Sequence, residues 1–165
     1  DIVLLALDTS LASTGYSIFN DGNLVKYGKI PTAAKSFKTE DLRINHIVNI
    51  IENIINEYKV DKVVCEDQFT SVNPKTTLTL RKLIGAIVRM TYEHDIDITY
   101  YYPAQWRKIL GINKGKAKDK KIAAYNYLFE NGIFTDKFTQ SGVKKNDDIV
   151  DSICIGIAYL KEKEG

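Results

Sequence analysis

The pattern of apolar and polar residues divides the first part of the chain into three short strands. A continuous apolar run over Ile2–Leu7 predicts a central strand that is covered on both faces. Two further apolar segments follow at Thr14–Phe19 and Leu24–Ile30. The Asp21-Gly22 pair between them is a strong hairpin signal. The chain is therefore predicted to open with an antiparallel meander.

The rest of the chain alternates helices and strands. Apolar residues recur at helical spacing from Thr39 to Tyr58, and two more apolar strands are predicted at Val60–Cys65 and Ile96–Tyr102. Four other helices are predicted, near Thr77–His94, Pro103–Leu110, Lys120–Asn131 and Asp147–Lys163. This order predicts an α/β fold, a mixed five-stranded sheet of three antiparallel and then two parallel strands with helices on both faces.

The composition is that of an ordinary globular protein. The 165 residues suit a single domain over residues 1–165, and a net charge of +2 leaves only local charge to identify a partner. Cys65 and Cys154 lie in apolar runs without metal-like spacing. No apolar run reaches the roughly 18 residues of a membrane helix, and the N-terminus lacks the basic region of a signal peptide. We therefore expect a cytoplasmic protein without membrane association.

Carboxylates stand at the ends of two predicted strands and at the start of the last helix. Asp8 follows the first strand and Glu66 the fourth. In the last helix Asp148 and Asp151 are three residues apart and share a face, whereas Asp147 points about 100° away. Each acid alone is also compatible with a turn cap, a solvated strand end or a first-turn helix acid.

Together these acids indicate a metal site. The carboxyl ends of adjacent parallel strands form ligand sites in such sheets, and converging acids repel one another unless divalent cations neutralise them. Ligands that are all oxygen atoms favour Mg²⁺ or Mn²⁺. Two such ions, about 3.5–4 Å apart, stabilise the attacking and leaving oxygens of phosphoryl transfer. We therefore expect two Mg²⁺ or Mn²⁺ ions per active site.

The acidic motifs resemble those of RuvC-type Holliday junction resolvases, which are endonucleases of the RNase H-like superfamily. The matching segments are "LALDTSLASTGYSIF", "VVCEDQF" and "DDIVDSICIGIA", so the resemblance covers nearly the whole chain. It implies that Asp8, Glu66, Asp148 and Asp151 are both the catalytic and the metal-binding residues. Asp148 is preferred to Asp147 because the family's last two acids are spaced i, i+3.

The resemblance also implies an activity and an assembly. It predicts a homodimeric crossover junction endodeoxyribonuclease that nicks four-way and related branched DNA symmetrically, in recombination and repair. Thr9-Ser10-Leu11 stands where many cellular members have Pro-Gly-Ser, and Gly165 ends the sequence without a basic tail. These departures favour a bacteriophage member that acts in the cytoplasm of a bacterial host.

Basic residues follow the fifth predicted strand, from Arg107 to Lys121, with Asp119 as the one acid among them. Such a run is either a solvated face or a surface for DNA phosphates, and its proximity to the acids favours DNA. The family uses two basic residues here in catalysis. Arg107 matches the first, and Lys118 or Lys120 the second.

Other parts of the chain add candidates for DNA contact. Phe69 matches the family's aromatic residue at the junction centre, although a core-packed loop aromatic is the alternative. Arg81 and Lys82 are phosphate candidates on the second helix, with a solvated face as the alternative. The complete DNA-binding prediction is Phe69, Arg81, Lys82, Trp106, Arg107, Lys108, Lys114, Lys116, Lys118 and Lys120.

The second helix is also the candidate dimer face, and core packing is the competing interpretation of its apolar residues. These residues are Leu80, Leu83, Ile84, Ile87 and Val88.

Three other functions are weighed against the main one. "DTSLASTG" also resembles the phosphate loop of sugar kinases and actin-like ATPases, but those need two domains and lack the acid pair, so we expect no nucleotide cofactor. An RNase H-like hydrolase of RNA–DNA hybrids and a non-catalytic branched-DNA binding module stay as alternatives.

Overall fold

A computed structural model describes residues 2–68, 73–133 and 140–164, with the backbone alone for residues 140–145. Within these ranges five strands form one mixed sheet: β1 (Val3–Asp8), β2 (Ser13–Asn20), β3 (Asn23–Pro31), β4 (Lys62–Glu66) and β5 (Ile98–Tyr101). Their order is β3-β2-β1-β4-β5. β1 pairs antiparallel with β2 and parallel with β4, as the predicted meander and crossover require.

Five helices connect and cover the sheet in the described part of the chain: α1 (Glu40–Tyr58), α2 (Pro74–Glu93), α3 (Pro103–Ile109), α4 (Ala117–Glu130) and α5 (Gln140–Glu164). A short 3₁₀ turn, Ala34–Ser36, precedes α1. Asn146 interrupts the helical backbone of α5, so the regular part begins at Asp147, where the sequence predicts the helix to start. None of the described helices has the length and apolar composition of a membrane span.

Side chains of β1 and β4 alternate between two cores, because successive residues of a strand point to opposite faces. The core under α1 and α2 receives Leu5, Leu7, Val63 and Cys65. The core under α3, α4 and α5 receives Leu4, Ala6 and Val64. The predicted helices on both faces are therefore confirmed. The same alternation directs Asp8 and Glu66 toward the α5 face.

Small residues of β2 allow α5 to lie close to the sheet. Gly15 is the register partner of Asp8, and a Cβ atom there would overlap the backbone carbonyl of Asp148. Two residues on, the Ser17 hydroxyl donates a hydrogen bond of 2.8 Å to the carbonyl oxygen of Ser152. The glycine is needed at this position because it lets α5 place its first turn beside the end of β1.

Two helices begin earlier than the sequence pattern predicts. α2 starts at Pro74 rather than near Thr77, because Asn73 caps it by accepting a hydrogen bond of 3.0 Å from the Lys75 backbone. α4 starts at Ala117 rather than Lys120, and the Asp119 carboxylate accepts a hydrogen bond of 3.0 Å from the Lys116 backbone. Lys118 therefore lies in the first turn of α4.

The predicted dimer face on α2 is wrong for three of its residues. Leu83 and Ile87 are buried in the core with residues of α1 and the sheet, and Ile84 is buried as well. The sequence could not separate the two interpretations because both place apolar residues at helical spacing. Val88 stays exposed, toward one edge of this buried face.

Candidate active site

Four carboxylates meet at the carboxyl ends of the two adjacent parallel strands. Asp8 is the last residue of β1 and Glu66 the last of β4, and their side chains share a hydrogen bond. Both residues are buried, at 9% and 6% exposure. Asp148 and Asp151 of α5 lie near enough for their charges to act on Asp8. The structure thus brings together all four predicted catalytic residues.

The pKa of Asp8 is raised well above its usual value. Burial is the main cause, and the charges of Glu66, Asp151 and Asp148 raise it further. Burial also raises the pKa of Glu66, although hydrogen bonds with Trp106 and Asp8 oppose this. A hydrogen bond between two carboxyl groups needs one proton, so the Asp8–Glu66 pair shares a proton when no cation is bound.

The α5 carboxyl groups are shifted in the same direction. Burial and the charge of Glu66 raise the pKa of Asp151 to about 8, against the opposing charge of Arg107. The pKa of Asp148 is also raised, chiefly by burial. Near neutral pH this cluster cannot carry four full negative charges unless protons or cations balance them.

Two adjacent residues of α3 hold the cluster from one side. Trp106 is fully buried, and its indole N–H donates a hydrogen bond of 2.7 Å to Oε2 of Glu66. The Arg107 guanidinium lies 4.2 Å from the centre of the Trp106 ring. It also donates to the carbonyl oxygen of Lys120 at 2.8 Å, and its Nη2 is 3.9 Å from Oδ1 of Asp151. Glu66 and Asp151 thus each have a partner on α3.

These contacts change the roles of Trp106 and Arg107. The sequence pattern places both in the DNA-binding set, but a fully buried indole that binds Glu66 has no surface to offer DNA. Arg107 is also buried, and its charge is directed at Asp151. We therefore assign both residues to the support of the carboxylates. The sequence gives no sign of this role for Trp106, because its contact with Glu66 depends on how α3 docks against β4.

The chemical type of the candidate ligand atoms suits a divalent cation. They are carboxylate oxygens alone, which suits hard cations. Oδ1 of Asp151 is buried without a hydrogen-bond partner among the described residues, an arrangement that a bound ion would satisfy. Within the described residues no three Asp, Glu, His or Cys side chains already surround one point closely enough to hold a metal.

The structure distinguishes the neighbouring acids Asp147 and Asp148. Asp147 accepts a hydrogen bond of 2.9 Å from Nζ of Lys121, whereas the charge of Asp148 is among those that raise the pKa of Asp8. Lys29 and Lys121 lie close enough to lower the pKa of Asp148 in part. Lys29 is absent from the predicted site, although the hairpin register, which pairs it with Gly15, could have indicated it.

Arg81 and Lys82, predicted to bind phosphates, are engaged within the chain. Arg81 lies 3.0 Å from an Asp67 carboxylate oxygen and donates to the carbonyl oxygen of Gln68 at 2.8 Å, so it fixes the residues that follow Glu66. Lys82 forms ion pairs of 3.2 and 2.9 Å with two acids at the start of α1, Glu40 and Asp41.

The other DNA-binding candidates are mostly at the surface. Lys108, Lys114, Lys116 and Lys118 are exposed, and Lys120 is half-buried. Phe69 lies outside the described residues. Contact between these residues and DNA stays a prediction.

The sheet order and the carboxylates at the ends of β1 and β4 define an RNase H-like nuclease domain. A family model described as "Crossover junction endodeoxyribonuclease RuvC" matches residues 4–158. The chain belongs to the RuvC family, which confirms the resemblance seen in the acidic motifs.

Two curated RuvC proteins match this chain over more than nine-tenths of their own length. The crossover junction endodeoxyribonuclease RuvC of Dictyoglomus turgidum is 25% identical over 168 residues, which cover 99% of both chains. The corresponding protein of Alkaliphilus oremlandii is 29% identical over 162 residues, covering 96% of this chain and 92% of the relative.

A solved structure confirms the predicted fold. T. thermophilus RuvC in complex with a Holliday junction substrate superposes with a TM-score of 0.75, covering 99% of this chain and 96% of that one. Only 14% of the residues are identical, so the agreement concerns the fold.

Proposed function

We propose that this protein is a structure-selective endonuclease that hydrolyses phosphodiester bonds in four-way and related branched DNA. The observation that carries the proposal is that Asp8, Glu66, Asp148 and Asp151 converge at one end of the sheet. The chain that places them there matches the RuvC family model over residues 4–158. The names of the relatives describe the same reaction class.

The cluster suits a site for two divalent cations, Mg²⁺ or Mn²⁺. When bound, the ions supply positive charge for the attacking and leaving oxygens of the displacement. The charges of Glu66, Asp151 and Asp148 all act on Asp8, so these four carboxylates would together hold the ions. Trp106 keeps the Glu66 carboxylate in one orientation, and Arg107 limits the repulsion around Asp151. The products would be a 5′ phosphate and a 3′ hydroxyl.

The exposed lysines of the α3–α4 segment supply the opposite charge for DNA. Lys114, Lys116 and Lys118 are at the surface near the first turn of α4, whose Lys120 carbonyl is bound by Arg107. Phosphate contacts of this kind provide affinity that decreases with salt. They would draw the DNA backbone toward carboxylates that otherwise repel it.

A homodimer would match the two-fold symmetry of a junction. The outer face of α2 carries three exposed apolar side chains: Leu78, Val88 and Tyr92 are 68%, 42% and 72% exposed. Leu78 and Tyr92 are fourteen residues apart, so they lie on one side of the helix. Gly85 lies midway between them and would allow a second helix to approach closely.

The activity can be tested with labelled four-way junction, linear duplex and RNA–DNA hybrid, each with Mg²⁺, Mn²⁺ or a chelator. We expect symmetric nicks in the junction, dependent on the metal. Asp8→Asn should abolish nicking and leave junction binding intact, because it removes a cation ligand without changing the fold. Cleavage of the hybrid alone would favour the RNase H-like alternative, and nicking by Asp8→Asn at the normal rate would show that the site is wrong.

A further inference from the structure

A groove of about 600 Å³ lies beside the carboxylates, on the other face of the sheet. Its walls come from the turn after β1, from the start of α1 and from the start of α2. Thr9, which lines it, directly follows Asp8, and Gln68 is two residues past Glu66. The groove and the carboxylate cluster therefore flank the same strand ends, and a chain that crosses these ends would touch both.

The basic side chains in the lining outnumber the acidic ones. Lys38, Arg43 and Lys75 line the groove together with one acid, Glu40. The Glu40 carboxylate accepts hydrogen bonds from the Thr79 hydroxyl at 2.8 Å and from Lys82 at 3.2 Å. Within the described residues no ion pair involves the three basic side chains. The groove therefore presents positive charge to a ligand.

The lining of the groove also suits the bases of nucleic acid. Leu11, Ala12, Phe37 and Leu80 give it an apolar surface. Phe37 is half-buried, and the His46 ring at 5.1 Å holds its ring in place. Single strands bind where cations meet the phosphates and aromatic rings meet the bases. A volume of this size is that of a small-molecule site, and a duplex would not enter it.

We propose that this groove holds an unpaired segment of the cleaved DNA strand, next to the scissile phosphate. Lys38 and Lys75 contact its phosphates, and a base stacks near Phe37. This inference rests on the proposed nuclease function and adds to it a path for the strand across the end of the sheet.

Photocrosslinking tests the path directly. The Asp8→Asn protein would be bound to junctions that carry 5-iodouracil at single positions, up to about four nucleotides on either side of the cut. We expect cross-links to the peptide that contains Phe37, from positions on one side of the cut only. Cross-links confined to other peptides, with the junction fully bound, would overturn the proposal.

Salt dependence provides the second test. Lys38→Ala combined with Lys75→Ala should reduce the slope of log K against log salt by about 1.4, the value for two phosphate contacts on a single strand. The control pair, Lys161→Ala with Lys163→Ala, lies at the far end of α5, about 18 Å along the helix from Asp151, and should not change it.

These outcomes separate the two proposals. If the wild-type protein does not nick junctions, the nuclease function fails. If it nicks them normally while the Lys38 and Lys75 variant keeps the wild-type slope and affinity, the function stands and the groove proposal fails.

Discussion

Trp106 shows how one buried side chain can determine the geometry of an acidic site. Its indole N–H is the fixed donor to Glu66, and the neighbouring Arg107 packs on its ring while facing Asp151. Partners that orient metal-binding carboxylates commonly contribute 10–100-fold to metal affinity or activity. Loss of the indole N–H group should therefore weaken cation binding more than it lowers the stability of the fold.

We expect Trp106→Phe to raise the Mg²⁺ or Mn²⁺ concentration needed for half-maximal junction cleavage by roughly 10-fold or more. The phenyl ring keeps most of the packing but cannot donate to Glu66. The measurement is a metal titration of the nicking rate, well below the melting temperature of the variant.

The matched control is Tyr101→Phe. It removes a hydrogen bond of the same length, 2.7 Å, that the Tyr101 hydroxyl donates to Glu162 near the end of α5. This variant should show the wild-type metal requirement. Equal metal titrations for the Trp106 variant and the wild type would contradict the role given to the indole.

Gly15 shows how a strand position determines the placement of a helix. Because a Cβ atom there would overlap the Asp148 carbonyl, Gly15→Ala should push the first turn of α5 away from β1. We expect nicking to decrease by at least 10-fold, since a small displacement of Asp148 and Asp151 changes the cation site. Cleavage would be measured at a temperature where circular dichroism shows the variant to be folded.

Gly156→Ala provides the comparison for stability. An added Cβ at Gly156 would meet the Phe19 ring, also between α5 and β2 but away from the carboxylates. Both alanine variants should lower the melting temperature, but only Gly15→Ala should remove activity from the folded protein. Equal losses of activity would reduce the role of Gly15 to general packing.

The strands and most helices could be predicted because local patterns determine them. The Asp21-Gly22 turn has positive φ angles of 50° and 81°, as the hairpin signal requires. The acids Asp8 and Glu66 could be placed because both directly follow apolar strands. The contact of Trp106 with Glu66 could not be predicted, since it arises only when distant segments pack. The sequence also could not show which face of α2 is buried, because packing against α1 determines which apolar residues of α2 are covered.

At the scale of the whole molecule, the exposed apolar side chains of α2, Leu78, Val88 and Tyr92, form a candidate face for self-association. Val88→Glu combined with Leu78→Glu should convert a dimer into a monomer, because two like charges would face each other across a two-fold axis. Analytical ultracentrifugation would measure the change. Phe129→Glu on α4, which is 51% exposed in the monomer, serves as the control. A dimer that survives the double substitution would exclude this face.

The stability of the whole molecule should depend on pH through the carboxylate cluster. Asp151 has a pKa of about 8 in the folded protein and an ordinary value near 3.8 when unfolded. Between these values the folded state holds a proton that the unfolded state has lost, so stability decreases as pH rises toward 8. We expect the metal-free protein to melt at a lower temperature at pH 8 than at pH 5.

Asp151→Asn should reduce this dependence, because asparagine resembles the protonated acid and has no proton to lose. At pH 8 the variant should melt a few degrees higher than the wild type, because each kcal/mol of added stability raises the melting temperature by about 2–4 °C. Near pH 4 the two melting temperatures should nearly coincide. Mg²⁺ should raise the wild-type melting temperature more at pH 8 than at pH 5, because protons and cations compete for the same oxygens. Differential scanning calorimetry would measure both effects. Parallel pH profiles for the two proteins would show that Asp151 is ionised without metal, and the cluster would then need another source of positive charge.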